Sequence, residues 1–373
     1  MVNHLRDCKP VVSFGCLQPT RVSMNLLTAT KTRISRAFTP KTESMTQSHH
    51  QFVYRFAASF LGGIVALAIG VIPALSQDKL QSSGSDVDTT STAKRFLIVH
   101  SDDAGMSHSV NRATIDAMEK GFVSSCSIMV PCPWFPEFAE WASQHPEKDF
   151  GIHLTLNSEF DKYRWGPVAG RDKVPTLVDK DGYLHGSKEE VIAQARPAEV
   201  EIELRAQIDR ALKAGIKLSH LDTHMGTVVS TGDMLEIYVR LGLEYDLPVM
   251  IIRHLDPILI QGYPDLAEKN GEYIQALGAK SLPAIDYLFQ FYEGKDHDAR
   301  QDRYLKTFRA LKPGVTQMII HCGYDDAELQ GITGSHFLRD DDRRIFSDAA
   351  VKKQIEEMGI EIISWRQLRE RAQ

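Results

Sequence analysis

The chain has 373 residues, 43% of them apolar and 25% charged, and a net charge of −6 at pH 7. This is an ordinary globular balance, long enough for one large domain or two smaller ones. The acidic balance argues against a general nucleic-acid binder, which presents a basic face, so no nucleic-acid partner is expected.

Residues 1–44 are rich in Ser, Thr, Lys and Arg and carry no sustained period, which reads as a non-native or disordered leader. Met45 follows, then Arg55 ahead of an apolar stretch from Phe56 to Leu75. Ala74-Leu75-Ser76 is a small-x-small boundary, so 45–76 reads as a signal peptide and the protein as exported, periplasmic or extracellular. The stretch reaches the length of about 20 residues that spans a bilayer, so a retained membrane anchor is the competing reading. Pro73, just before the boundary, favours cleavage. A polar linker covers 77–93. Cys8 and Cys16 fall in the leader, and Cys126, Cys132 and Cys322 remain. An odd count without C-x-x-C predicts neither a disulfide scaffold nor a cysteine zinc site.

From residue 94 onward strands and helices alternate. Phe96–Val99 reads as a strand and Val110–Lys120 as a helix stopped by Gly121. Ser125–Val130 is a strand bounded by Pro131 and Pro133, and Glu137–Gln144 a short helix led in by Pro136. Asp149–Leu156 gives a third strand, followed by a long polar loop of the kind that is often functional or mobile. Pro197–Ala214 is an amphipathic helix closed by Gly215; Ile216–Asp222 is a strand, Met234–Tyr245 a helix and Pro248–Ile252 a strand. Residues 256–298 read as an irregular insertion with some helix. Then come helix Arg300–Leu311, strand Gln317–Ile320, helix Asp348–Met358, strand Ile360–Ser364 and helix Trp365–Arg371.

This alternation implies an α/β fold with a mainly parallel sheet. A single, irregular (β/α) barrel of the TIM type over 94–373 is the expected form, with an open doubly wound sheet second. No G-x-G-x-x-G or P-loop follows the first strand, which weakens a nucleotide-binding version.

Metal-capable side chains gather in or at the ends of predicted strands. Asp102 and Asp103 follow the first, His153 lies in the third, His220, Asp222 and His224 alternate along the fourth, and His321 closes Met318-Ile319-Ile320. In a parallel barrel the carboxyl ends of the strands share the rim that carries the active site. An Asp with two His suits one divalent cation with open positions, which lowers the pKa of a bound water and polarises a carbonyl. A second Asp would serve as general base and a His across the site as acid, giving metal-assisted hydrolysis of an acyl bond. Each residue also has a plainer reading: a turn for Asp-Asp, a buried hydrogen-bonded His for His153 and His321, a solvated face for His220, Asp222 and His224.

The motifs His100-Ser101-Asp102-Asp103-Ala104-Gly105, Gly151-Ile152-His153-Leu154-Thr155-Leu156, His220-Leu221-Asp222-Thr223-His224 and Ile320-His321-Cys322-Gly323-Tyr324 come in this order. With the closing Gly359–Arg366 segment, the chain resembles the YdjC-like carbohydrate deacetylases, the family of chitooligosaccharide deacetylase, from about Arg95 to Arg369. The resemblance implies a (β/α) barrel that removes N-acetyl groups from sugars with one divalent metal, Mg or Zn. By position, Asp103, His153 and His224 would hold the metal, Asp102 would be the general base, and His321 the general acid or oxyanion partner. His220 and Asp222 would stand behind them. The first motif departs from the family's frequent Asn-Ala-Asp-Asp-Phe-Gly at His100, Ser101 and Ala104, and Met225-Gly226 stands where the third motif often continues with more His.

Tyr163 and Trp165 in the long loop offer aromatic faces for a sugar, and Arg253 a cation for a polar substituent. A local packing role for Trp165 and an ordinary ion pair for Arg253 are the alternatives. The expected partner is an N-acetylated saccharide, with a homo-oligomer left open. A metal-dependent phosphoesterase on the same rim, served by Arg164 and Arg253, and a non-catalytic sugar-binding protein are the competing functions.

Overall fold

A computed structural model describes residues 93–373. The 1–44 leader, the 45–76 signal or anchor and nearly all of the 77–93 linker lie outside the described residues. In chain order the elements are β1 (Arg95–Ala104), α1 (His108–Glu119), β2 (Ser125–Ile128), α2 (Phe135–Gln144), β3 (Phe150–Leu154), α3 (Lys188–Gln194), α4 (Pro197–Lys213), β4 (Leu218–Thr223), α5 (Gly232–Tyr245), α6 (Pro257–Gly262), α7 (Pro264–Gly278), β5 (Tyr287–Gln290), α8 (His297–Arg309), β6 (Gly314–Ile320), α9 (Ala327–Ile332), α10 (His336–Ile345), α11 (Ala349–Glu357), β7 (Ile360–Ile362) and α12 (Trp365–Ala372).

Every strand pairing is parallel, and the sheet runs β4-β3-β2-β1-β6-β5 with β7 beside β1. It closes through the segment 248–252. Leu221 of β4 bridges Val249, and Ile252 bridges Ile285 just ahead of β5. Met250 N donates to Leu221 O at 3.1 Å, and Arg253 N to Ile285 O at 2.8 Å. The fold is therefore a (β/α) barrel, and the open sheet is excluded. The expected Pro248–Ile252 strand is reduced to these isolated bridges. The expected insertion at 256–298 contains α6, α7 and the short strand β5, whose residues are half-buried or exposed.

β1 is the central strand. One edge pairs with β6 from Arg95 to Ser101. The other is divided between β7 at Arg95–Leu97 and β2 from His100 onward. Alternation along β1 sends Leu97 and Val99 outward into the main core against α1, and Ile98, His100 and Asp102 into the barrel. Ile98, Ile252, Ile285, Val315, Ile363 and Trp365 form a second apolar cluster that plugs the N-terminal end of the barrel. Above this plug the interior turns polar, and the site lies at the opposite rim. Among the described residues, no helix is long and apolar enough to cross a membrane.

Candidate active site

Adjacent residues of a regular strand point to opposite faces, yet Asp102 and Asp103 both face the barrel mouth. The cause is local: the β1–β2 register slips between Ser101 and Ala104, and Asp103 takes φ 67°. A non-glycine residue at positive φ is strained, and such strain collects at functional sites. Asn111 Oδ1 accepts from Gly105 N at 2.7 Å, and Asp103 O from Met106 N at 3.0 Å, so the turn that follows is pinned.

The turn brings Asp103 to the ends of β3 and β4. Asp103 Oδ1 lies 3.5 Å from His153 Nε2 and 3.4 Å from His224 Nδ1. All three residues are buried, and their ligand atoms converge as a set able to hold one ion. Asp103 Oδ1 is buried with no hydrogen-bond partner, an orphaned acceptor facing two imidazole nitrogens. A divalent cation fits this donor set.

The far sides of these ligands are also held. His153 Nδ1 meets Ser127 Oγ at 3.0 Å and Asp222 Oδ2 at 3.3 Å. His224 Nε2 faces both oxygens of Glu159 at 3.1 Å. Arg339 Nη2 donates to Asp103 Oδ2 at 2.7 Å. Such outer partners fix the tautomer and orientation of metal ligands.

Asp102 sits one layer below. Its Oδ1 is 3.3 Å from His100 Nε2 and accepts from Ser127 Oγ at 3.3 Å. Its Oδ2 faces the mouth, 3.7 Å from His153 Nε2 and 4.0 Å from His321 Nε2. His321 follows β6, and its backbone N–H donates to Asp342 Oδ2 at 3.0 Å. Asp342 is clamped in turn by Arg300 and by Tyr304, whose hydroxyl donates at 2.7 Å. The ring of Tyr292, an exposed residue just beyond β5, lies 5.6 Å from that of His321.

Three carboxylates, Asp102, Asp103 and Asp222, crowd this buried space. Burial and the charges of Asp222 and Asp103 push the Asp102 carboxyl well above its usual range. Burial also penalises charged Asp103, but the Arg339 guanidinium and His224 hold it well below that range. Burial opposes charge on His224, yet Glu159 and Asp103 raise it to about 10. Burial lowers His321 to about 3, so its ring is neutral at neutral pH. A divalent cation relieves this concentration of negative charge.

The structure gathers Asp102, Asp103, His153, Asp222, His224 and His321 at one rim. His220 lies deeper, its ring 5.0 Å from that of His100 and stacked at 4.9 Å on Trp365. The three residues expected to bind sugar all make contacts within the protein. Trp165 is only 2% exposed, with Nε1 donating to Asn157 O at 2.9 Å, so it offers a substrate no open face. Its ring backs that of His224 at 6.4 Å. The Tyr163 hydroxyl is spent on Met106 O at 2.5 Å. Arg253 pairs with Asp286 at 3.6 Å, the ordinary ion pair. Arg164 is likewise engaged, by Asp179 and Leu184 O.

Sequence reasoning missed Ser127, Glu159, Arg339 and Asp342. Ser127 was within reach, since it stands on the inward face of the Ser125–Val130 strand. Arg339 and Asp342 sit on α10, whose buried face mixes Leu338 and Ile345 with Arg339, Asp341 and Asp342.

Comparison with known proteins accords with this geometry. Residues 96–357 match the family described as YdjC-like protein. A carbohydrate deacetylase of Thermus thermophilus is 30% identical over 277 residues, covering 74% of this chain and 95% of that protein. One from Thermoanaerobacter pseudethanolicus is 27% identical over 266 residues, 71% of this chain and 96% of that protein. The crystal structure of a putative cellobiose-phosphate cleavage protein from Enterococcus faecalis superposes with a TM-score of 0.61 at 26% identity, covering 74% of this chain and 99% of that one. The barrel, its rim of Asp and His, and the matched length together place this chain in the YdjC-like family.

Proposed function

We propose that the protein is a divalent-metal-dependent deacetylase that removes N-acetyl groups from a carbohydrate. The carrying observation is the orphaned Asp103 Oδ1 facing His153 Nε2 and His224 Nδ1, each ligand braced from behind by Arg339, Ser127 or Glu159. The carbohydrate deacetylases that match over nearly their full length support the substrate class. When bound, a divalent cation, Zn or Mg, supplies Lewis acidity toward the acetyl carbonyl.

The chain's own groups do the rest. Asp102 Oδ2, aimed at the mouth, takes a proton from the attacking water and returns it to the departing amine nitrogen. His321, neutral through burial, acts as a hydrogen-bond partner of the developing oxyanion rather than as a charged acid. Acetate and the free amino sugar leave. The test is acetate release from chitooligosaccharides by the purified chain, stripped with chelator and then given Zn or Mg. Release lost on stripping and regained with metal supports the reading. Release that ignores the chelator sinks the metal, and no release from any N-acetylated saccharide sinks the deacetylase.

The Phe56–Leu75 stretch and its Ala74-Leu75-Ser76 boundary support export to the periplasm or beyond. Sequencing the N-terminus of the protein made in its own cell decides this. A start just after Ser76 outside the cytoplasm upholds cleavage, and a retained Met45 in the membrane fraction indicates an anchor.

A further inference from the structure

We propose that His100 is a positioning residue for Asp102, fixed from below by Ser125 and Asp149. This rests on the assignment of Asp102 as the base. His100 is fully buried inside the barrel, two residues before Asp102 and on the same strand face. Its Nδ1 meets Ser125 Oγ at 3.0 Å, and its Nε2, buried without a hydrogen-bond partner, lies 3.3 Å from Asp102 Oδ1 and 3.2 Å from Asp222 Oδ2.

Hydrogen counting along this line fixes the ring. Ser125 Oγ has one hydrogen and donates it to Asp149 Oδ1 at 2.6 Å. Asp149 is itself anchored, accepting from Ser219 Oγ at 3.0 Å and from Arg366 N at 2.9 Å. Ser125 Oγ must therefore accept from His100, which places a hydrogen on Nδ1. The opposite edge of the ring, at Nε2, lies against Asp102 Oδ1 and Asp222 Oδ2, and Asp102 Oδ2 is the oxygen that faces the mouth.

The line thus runs Asp149, Ser125, His100, Asp102, from the N-terminal layer of the barrel to the rim. The layout is that of a base oriented by a residue that is itself oriented. Asn in place of His100 has a shorter side chain and no ring to span from Ser125 to Asp102, so in this barrel His carries the link.

The test measures acetate release from chitooligosaccharides by the metal-loaded full chain and by Asp102→Asn, His100→Asn, Ser125→Ala and the His100→Asn/Ser125→Ala double variant. Metal content is determined for each. Ser125→Ala barely changes the volume of its strand and leaves the rim untouched, so it keeps the test open where His100→Asn unfolds. We expect His100→Asn to lower kcat about 100-fold and Ser125→Ala about 10-fold, the scale of a misplaced catalytic group, with KM within about twofold. Metal content should stay equal to wild type, and the double variant should be no worse than His100→Asn, as for residues in one chain of contacts.

Wild-type kcat in folded Ser125→Ala, or multiplicative losses in the double variant, would overturn the proposal. So would a rise in KM alone, or one metal ion fewer in His100→Asn, which would make His100 a ligand. Asp102→Asn separates the two layers of argument. If it is inactive while the His100 and Ser125 variants are fully active, the positioning fails and the base stands. If it is active, the base fails and takes the positioning with it.

Discussion

Arg339 Nη2 bonds one oxygen of Asp103 and leaves the other, Oδ1, without a hydrogen bond and turned to His153 and His224. A guanidinium behind a carboxylate ligand does two things. It keeps the carboxyl ionised inside a buried space, and it decides which oxygen is offered. Arg339→Met keeps the volume and removes both effects. We expect metal affinity to fall about 10- to 100-fold, the usual cost of losing an outer partner, by titration calorimetry with Zn or Mg. Unchanged affinity would show that Asp103 needs no such support.

His224 gives the pH dependence. In the metal-free protein Glu159 and Asp103 raise it to about 10, so the ring is protonated at neutral pH. Metal uptake must expel one proton. The apparent affinity should therefore climb with pH, about tenfold per unit, and level off near the folded pKa. The same shift acts on the metal-free fold with the opposite sign. Its contribution is complete below the unfolded value near 6.5 and is lost as pH rises through about 10. Melting of the chelated protein should weaken over that window, and Glu159→Gln should flatten both curves.

Gly151 is required by a close approach. A Cβ there would lie 2.3 Å from His220 Nε2, and that ring is locked between His100 and Trp365. Gly151→Ala should destabilise by about 1–3 kcal/mol through overpacking, seen as a lower Tm. A Tm equal to wild type would mean that the His220 ring moves freely.

Trp165 and Arg253 should respond in opposite ways. Trp165→Ala removes a buried ring and should cost about 3–5 kcal/mol of stability, measured by denaturant unfolding. Arg253→Ala breaks a half-exposed pair with Asp286 and should change stability by less than about 1 kcal/mol, with KM for chitooligosaccharides unchanged. A raised KM in Arg253→Ala alone would return that residue to the substrate.

The proposed site residues were legible because each sits in or at the end of an apolar strand, and a parallel barrel turns that position into a shared rim. Asp102, Asp103, His153, His224 and His321 follow this rule. Their braces do not. Glu159 lies in an unpatterned loop, and Arg339 and Asp342 lie on a helix rich in charged residues, where the buried Leu338 and Ile345 do not tell which charges turn inward with them. Trp165 and Tyr163 mislead in the reverse sense. Aromatic residues beside a site stack on sugars or pack beneath ligands, and composition does not separate the two uses. The convergence of Asp102 and Asp103 depends on a register slip and a positive φ, which only the folded backbone reveals.

The shared edge of β1 has a consequence for how the chain is made. Arg95 pairs with both Gly314 and Ile360, so the first half of β1 meets its partners only when almost the whole chain is available. Such distant pairings make folding slow and leave an apolar strand exposed meanwhile. Synthesis therefore ends before the barrel can shut, and a truncation that removes only β7 and α12 should leave the ribosome as an aggregation-prone chain although every proposed catalytic residue is present.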